Sequence, residues 1–69
     1  MIHAPIEARD ELLRLPEVQA EVKLGKTMIY RLERQGRFPQ RIKVGGSSRW
    51  SRLEVQAWIA ARRDEREAA

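Results

Sequence analysis

Apolar residues recur along this 69-residue chain with two different spacings, which divide it into helical and extended segments. Before residue 36 the spacing is helical: Val18 and Val22 are four apart, and Met28, Ile29 and Leu32 share one side of a second segment. Between residues 37 and 51 the spacing becomes two, because apolar and charged residues alternate. The pattern predicts two helices, a β-hairpin and a closing helix.

The first two helices are predicted to be short and close together. Pro16 suits the first turn of a helix and disfavours helix at the residue before it, which gives a short extended segment over 12–15 and a helix over about 16–22. A second helix over 26–35 ends at Gly36, a residue typical of the helix C-cap. The turn 23–25 ends in Gly25, which can cap the second helix. Two helices joined in this way form a helix-turn-helix arrangement.

The alternating segment predicts a hairpin over 41–51 with a Gly-rich loop at 45–48, longer than the two-residue minimum. Its parity predicts which side chains face the core. We expect Ile42, Val44 and Trp50 to point inward, and Arg41, Lys43 and Arg49 to point outward.

A capping-box pattern, Ser51-x-x-Glu54, opens a last helix over about 52–66, in which Trp58 would close the core against the first two helices. This order of elements predicts an α+β fold, a small winged helix-turn-helix with a two-stranded hairpin wing and a C-terminal helix. The predicted domain spans residues 12–62. A flexible arm over 1–11 precedes it, and a fraying charged tail over 63–69 follows it.

Charge is concentrated in the middle of the chain. Residues 22–52 carry nine Lys and Arg and one acid, a net charge of +8, whereas residues 1–21 carry −3. A local positive potential of this kind typically attracts nucleic acid. The acidic N-terminal residues suggest a second role, contact with the basic surface of a neighbouring copy on DNA.

Composition argues against several other classes of protein. The chain has no cysteine and a single histidine, His3, so neither thiolate metal sites nor Ser/His/Asp or Cys/His catalysis is expected. We therefore expect no enzyme, no cofactor and no metal site. No apolar run approaches the roughly 18 residues of a membrane span, and the start lacks the character of a signal peptide. A soluble cytoplasmic protein without a membrane partner is expected.

Several short motifs together resemble the AlpA-type prophage regulators over about residues 12–60. The motifs are 13–18 (LRLPEV), 26–32 (KTMIYRL), 36–39 (GRFP), 43–46 (KVGG), 49–50 (RW) and Glu54-Val55-x-x-Trp58-Ile59. The resemblance implies a small DNA-binding protein with a MerR-like winged fold, related to phage excisionases. One departure is the turn between the first two helices. The family usually has Gly, an apolar residue and Ser where this chain has Lys23, Leu24 and Gly25.

Candidate DNA contacts lie on the polar face of the second helix and on the hairpin. Arg31 is long enough for a bidentate guanine contact, although a phosphate contact is the alternative. Lys26 lies at the N-terminus of this helix, where the helix dipole and free N–H groups favour a phosphate. Tyr30 can either hydrogen-bond a phosphate or pack half-buried in the core. The full candidate set is Lys26, Thr27, Tyr30, Arg31, Arg34, Arg37, Arg41, Lys43, Ser47, Ser48 and Arg49.

These features favour sequence-specific binding of double-stranded DNA, with helix 26–35 in the major groove and the hairpin on the backbone or minor groove. Two roles fit equally: a transcriptional regulator, and an excisionase that directs recombination, with an integrase as a further partner. The alternative from another class is a protein-interaction module whose basic face binds an acidic protein.

Overall fold

The computed structural model describes residues 9–68, which form three helices and a three-stranded antiparallel sheet. The winged helix-turn-helix predicted from the sequence is confirmed. The elements in chain order are β1 (Leu12–Leu13), α1 (Leu15–Val22), α2 (Lys26–Arg34), β2 (Ile42–Val44), β3 (Ser47–Ser51) and α3 (Arg52–Ala68).

Helix α1 is bounded by local backbone geometry at both ends. The backbone N–H of Arg14 donates to Oε1 of Glu17 at 2.7 Å, which satisfies a donor at the start of the helix. At the other end Lys23 takes a left-handed conformation (φ 58°) and donates its N–H to the carbonyl of Gln19 at 2.8 Å. Gly25, in extended conformation, caps α2 as predicted.

Gly36 ends α2 in the way that the sequence indicates. It has a φ of 71°, and its N–H donates to the carbonyl of Glu33 at 3.0 Å. The N–H of Arg37 donates to the carbonyl of Leu32 at 2.8 Å, which completes a Schellman motif. The chain thereby leaves the helix and turns toward β2.

Strand β3 lies in the centre of the sheet, between β1 and β2. The pairing of β1 with β3, which places Leu13 opposite Trp50, adds a third strand where the sequence indicated only an extended segment. Val44 pairs with Ser47, so the hairpin turn consists of Gly45 and Gly46 alone. The longer loop predicted over 45–48 is therefore wrong. Gly45 has a φ of 61°, as the first position of a type II′ turn requires.

The predicted orientation of the hairpin side chains is also wrong in part. Trp50 is fully buried, but Ile42 and Val44 are 40% and 48% exposed. Register explains this, because a turn with an even number of residues places even positions of one strand opposite odd positions of the other. Ile42 thus lies opposite Arg49, on the face of the sheet that Trp50 does not occupy.

Helix α3 follows β3 without a loop, and its first turn is bonded to residues from the N-terminal segment. Ser51 Oγ accepts the backbone N–H of Glu54 at 3.1 Å, which is one half of the predicted capping box. Asp10 accepts the backbone N–H of Leu53 at 3.0 Å and the hydroxyl of Ser51. The first eight residues of the predicted arm lie outside the described residues. At its other end, the helix continues through the predicted tail as far as Ala68.

One apolar cluster joins the three helices with β1 and β3. Trp58, expected to close the core against the first two helices, is half-buried against this cluster and packs edge-on against Phe38, with ring centroids 5.0 Å apart. Its indole N–H donates to the carbonyl of Arg37 at 2.7 Å, which holds the segment after α2 against α3. The buried core consists of Leu13, Val18, Ile29, Phe38, Trp50 and Val55.

Candidate nucleic-acid interface

Helix α2 presents a basic face to solvent. Ile29 is fully buried and anchors the helix, while the opposite side is exposed. Met28, which the helical spacing placed on the inner side, is 39% exposed and lies at the edge of this face. The candidate contacts on the exposed side are Lys26, Thr27, Arg31 and Arg34.

Arg41, by contrast, points toward the body of the protein. Its guanidinium carbon lies 4.6 Å from the ring centroid of Tyr30 and 5.7 Å from that of Trp50. The outward orientation expected from the hairpin parity is wrong for this residue, because Arg41 precedes β2 and is held by α2. Tyr30 is half-buried beneath it.

The partner that holds Arg41 is Glu33, which the sequence marks only as a single negative charge in a basic segment. Glu33 is 7% exposed. The carboxylate accepts Arg41 Nε at 3.0 and 3.1 Å, Nη2 at 2.5 Å and the backbone N–H at 2.7 Å. Hydrogen bonds from the Arg41 side chain lower the pKa of Glu33, against the opposing effect of burial. The signal in the sequence was an isolated acid at a position adjacent to the buried stripe of α2.

The candidate residues of the hairpin are divided between its two faces. Lys43 and Ser48 are cross-strand partners, and Lys43 Nζ lies 3.3 Å from Ser48 Oγ on the Trp50 face. Ser47 and Arg49 lie on the other face, where Arg49 donates to the carbonyl of Ser48 at 3.0 Å. The hairpin therefore presents a basic residue on each side.

Arg37 lies between these two groups, in the segment that follows α2. It is exposed, and its guanidinium lies 3.3 Å from Oε1 of Gln35. Its carbonyl is fixed by Trp58. The backbone at this position is thus held in place while the charged side chain extends into solvent.

The exposed charged side chains of this surface are all positive. Within residues 9–66, the salt bridges use Arg41, Arg52, Arg62 and Arg63 as the cations. Five exposed cations of α2, the following segment and the hairpin, together with the half-buried Arg49, form no salt bridge with a described carboxylate. These cations are Lys26, Arg31, Arg34, Arg37, Lys43 and Arg49.

Among the described residues, no group of three His, Cys, Asp or Glu side chains is placed to hold a metal ion. Over the same residues, no helix has the length and apolar character needed to cross a membrane.

Comparison with known proteins gives two matches. The family described as Prophage CP4-57 regulatory protein (AlpA) matches residues 11–63. An uncharacterized protein of Enterobacteria phage P4, ORF88, is 39% identical over 59 residues, which are 84% of this chain and 67% of the relative. The matched residues include the helix-turn-helix, the hairpin and most of α3, so this chain belongs to the AlpA family of prophage regulatory proteins.

Proposed function

We propose that this protein binds double-stranded DNA sequence-specifically, with α2 in the major groove and the β2–β3 hairpin as a wing on the backbone or adjacent minor groove. A single helix fits the major groove, and the side chains exposed on α2 include a hydroxyl and guanidinium groups suited to phosphates and base edges. The biological role is that of a prophage or mobile-element regulator.

The observation that supports the proposal most directly is that the exposed face of α2 carries no carboxylate. Glu33 is the one carboxylate of α2, and it is buried against Arg41. Arg31 and Arg34 therefore stand on a helix face with no acid of its own to repel phosphate. A generic solvated helix would more often pair such charges along its surface.

The first experiment measures binding to a random-sequence duplex by fluorescence anisotropy at several salt concentrations. If about four to six cations neutralise phosphates, the logarithm of affinity should fall with the logarithm of salt at a slope of about −4 to −5. Arg63→Ala removes an exposed cation of α3 and is the matched control for changes on α2. A slope near zero would contradict DNA binding and would favour an acidic protein as partner.

The second experiment distinguishes the two roles within DNA binding. Selection of bound sites from a random pool identifies the preferred sequence, and a circular-permutation assay then measures bending. Bending over repeated sites beside an integrase site supports an excisionase. A single unbent operator at a promoter supports transcriptional regulation. Both outcomes use the same exposed face of α2.

A further inference from the structure

Two consecutive side chains immediately before β2 are bonded to the last turn of α2. Nε2 of Gln40 donates to the main-chain carbonyl of Glu33 at 3.0 Å. The next residue, Arg41, binds the carboxylate of the same glutamate through its side chain and its backbone N–H. The main-chain carbonyl and the side-chain carboxylate of Glu33 are therefore both hydrogen-bonded to the two residues just before β2.

The geometry of this contact is that of a rigid joint. Two guanidinium nitrogens share one carboxylate, an arrangement that fixes orientation as well as distance. The guanidinium plane also lies over the ring of Tyr30, one helical turn before Glu33. Since Glu33 is 7% exposed, the carboxylate cannot exchange Arg41 for bulk water without unpairing a buried charge.

We propose that Glu33 and Arg41 form a positioning pair that sets the angle between α2 and the hairpin, and that Arg41 serves DNA recognition through this pair rather than by touching DNA. The inference rests on the DNA binding proposed above and assigns Arg41 a different role from the exposed cations of α2 and the hairpin. Helix and wing must engage the duplex together, and recognition groups need to be held within about 0.5 Å of their productive positions.

The test compares Glu33→Gln, Arg41→Met, Arg41→Lys and the double variant Glu33→Gln/Arg41→Met with the parent. Dissociation constants are measured for the preferred site and for a random duplex, at three salt concentrations and at a temperature where circular dichroism shows every variant folded. Glu33→Gln and Arg41→Met should each weaken the preferred site about tenfold, as loss of one well-placed base contact does. Random DNA should be affected less, and the salt slope should not change.

Two further results are expected if the pair acts as a unit. The double variant should be no weaker than either single variant, since each single change already breaks the joint. Arg41→Lys should fail to restore the preferred site, because a lysine keeps the charge but lacks the planar fork. If Glu33→Gln does not fold, the dissociation constants of Arg41→Lys and Arg41→Met are compared with each other and test the inference on their own.

A direct phosphate contact by Arg41 gives the opposite pattern and would overturn the inference. Arg41→Lys would then rescue binding, Arg41→Met would lower the salt slope by about one unit on both duplexes, and Glu33→Gln would leave binding equal or tighter. A parent protein that binds neither duplex at low salt would instead contradict the proposed function itself, which separates the two failures.

Discussion

Arg31 and Lys43 illustrate how position decides the kind of contact that a cation can make. Arg31 is exposed on α2, where a planar guanidinium can reach a guanine edge. Lys43 lies exposed on the hairpin, 3.3 Å from Ser48 Oγ, where a flexible ammonium suits phosphate. The two residues therefore allow base reading and backbone binding to be measured separately.

Arg31→Ala is expected to cost roughly 1–3 kcal/mol on the preferred site and to relax discrimination at one base position. Lys43→Ala should weaken all sequences about equally and lower the salt slope by about one unit. Anisotropy titrations on the preferred site and its single-base variants measure both effects, with Arg63→Ala as the control. An equal loss on specific and random DNA for Arg31→Ala would show that this residue does not read bases.

Asp10 gives a prediction about pH. Hydrogen bonds, first from the Ser51 hydroxyl and then from the Leu53 N–H, hold the pKa of its carboxyl below the ordinary value. A carboxyl with a lowered folded-state pKa stabilises the fold above its unfolded pKa of about 3.9, and this contribution is lost as pH falls through the folded pKa. Asp10→Ala should therefore lower Tm at pH 7 and should cost less at pH 3.

Thermal melts followed by circular dichroism between pH 7 and pH 3 measure this effect. The matched control is Asp64→Ala, the same change at an aspartate on α3 whose carboxylate lies 3.9 Å from Arg63. It should melt close to the parent at both pH values. An Asp10→Ala variant with the parent's Tm at pH 7 would show that the contact to α3 adds no stability.

At the scale of the elements, the turn between α1 and α2 contains the one strained backbone position among the described non-glycine residues. Lys23 has a φ of 58°, a region that side chains with a Cβ rarely occupy. The resemblance to the AlpA-type regulators implies a glycine at this position, so the departure in the sequence falls on the strained residue. The next residue, Leu24, is partly buried against the core.

Lys23→Gly should raise the free energy of unfolding by about 1 kcal/mol relative to Lys23→Ala, since both remove the charge and only glycine relieves the strain. Urea denaturation of the two variants measures the difference. Equal stability would mean that the turn relaxes to accommodate a Cβ at no cost.

The elements show how much of the fold the sequence could predict. Helical spacing, Pro16 and the glycines at 25 and 36 gave the helix-turn-helix within one residue at each end, because caps are local. The faces of the hairpin were assigned wrongly because the even positions of both strands were taken to share one face. A loop with an even number of residues, whether the predicted four or the observed two, places Val44 and Trp50 on opposite faces of the sheet.

Long-range polar contacts were equally inaccessible from the sequence. Asp10 and Ser51 are 41 positions apart, and nothing in either local sequence indicates that they meet. The pairing of Glu33 with Arg41 spans eight positions across a change of element. The exposed face of α2 was predictable because it follows from one helical period, whereas Arg41 required the path of the chain after Gly36.

For the whole molecule, charge is divided between regions. Glu11, Glu17 and Glu21 line a shallow groove between α1 and α3, where Glu21 also accepts a hydrogen bond from Gln56. Six cations that form no salt bridge with a described carboxylate lie on α2, the segment after it and the hairpin. An uneven distribution of this kind orients a protein as it approaches a polyanion, so the association rate should fall steeply with salt.

Removal of residues 1–8 tests whether the N-terminal residues contribute to assembly on DNA. This deletion retains Asp10 and its bonds to α3, and it removes the acid Glu7. We expect similar or tighter binding to a single site and lower cooperativity on an array of sites, if these residues contact the basic face of a neighbouring copy. Gel-shift titrations on one-site and two-site duplexes measure both quantities, and unchanged cooperativity would contradict the hypothesis.

The unequal surroundings of the two tryptophans make them separate optical reporters. Trp50 is fully buried, and its indole N–H has no hydrogen-bond partner within the described residues, whereas Trp58 is half-buried and bonded to a carbonyl. Emission of Trp50 should be blue-shifted and shielded from iodide, and that of Trp58 should be red-shifted and quenchable. Since Arg41 lies 5.7 Å from the Trp50 ring, a Trp58→Phe variant would report, without any attached dye, whether the joint between α2 and the hairpin moves when DNA is added.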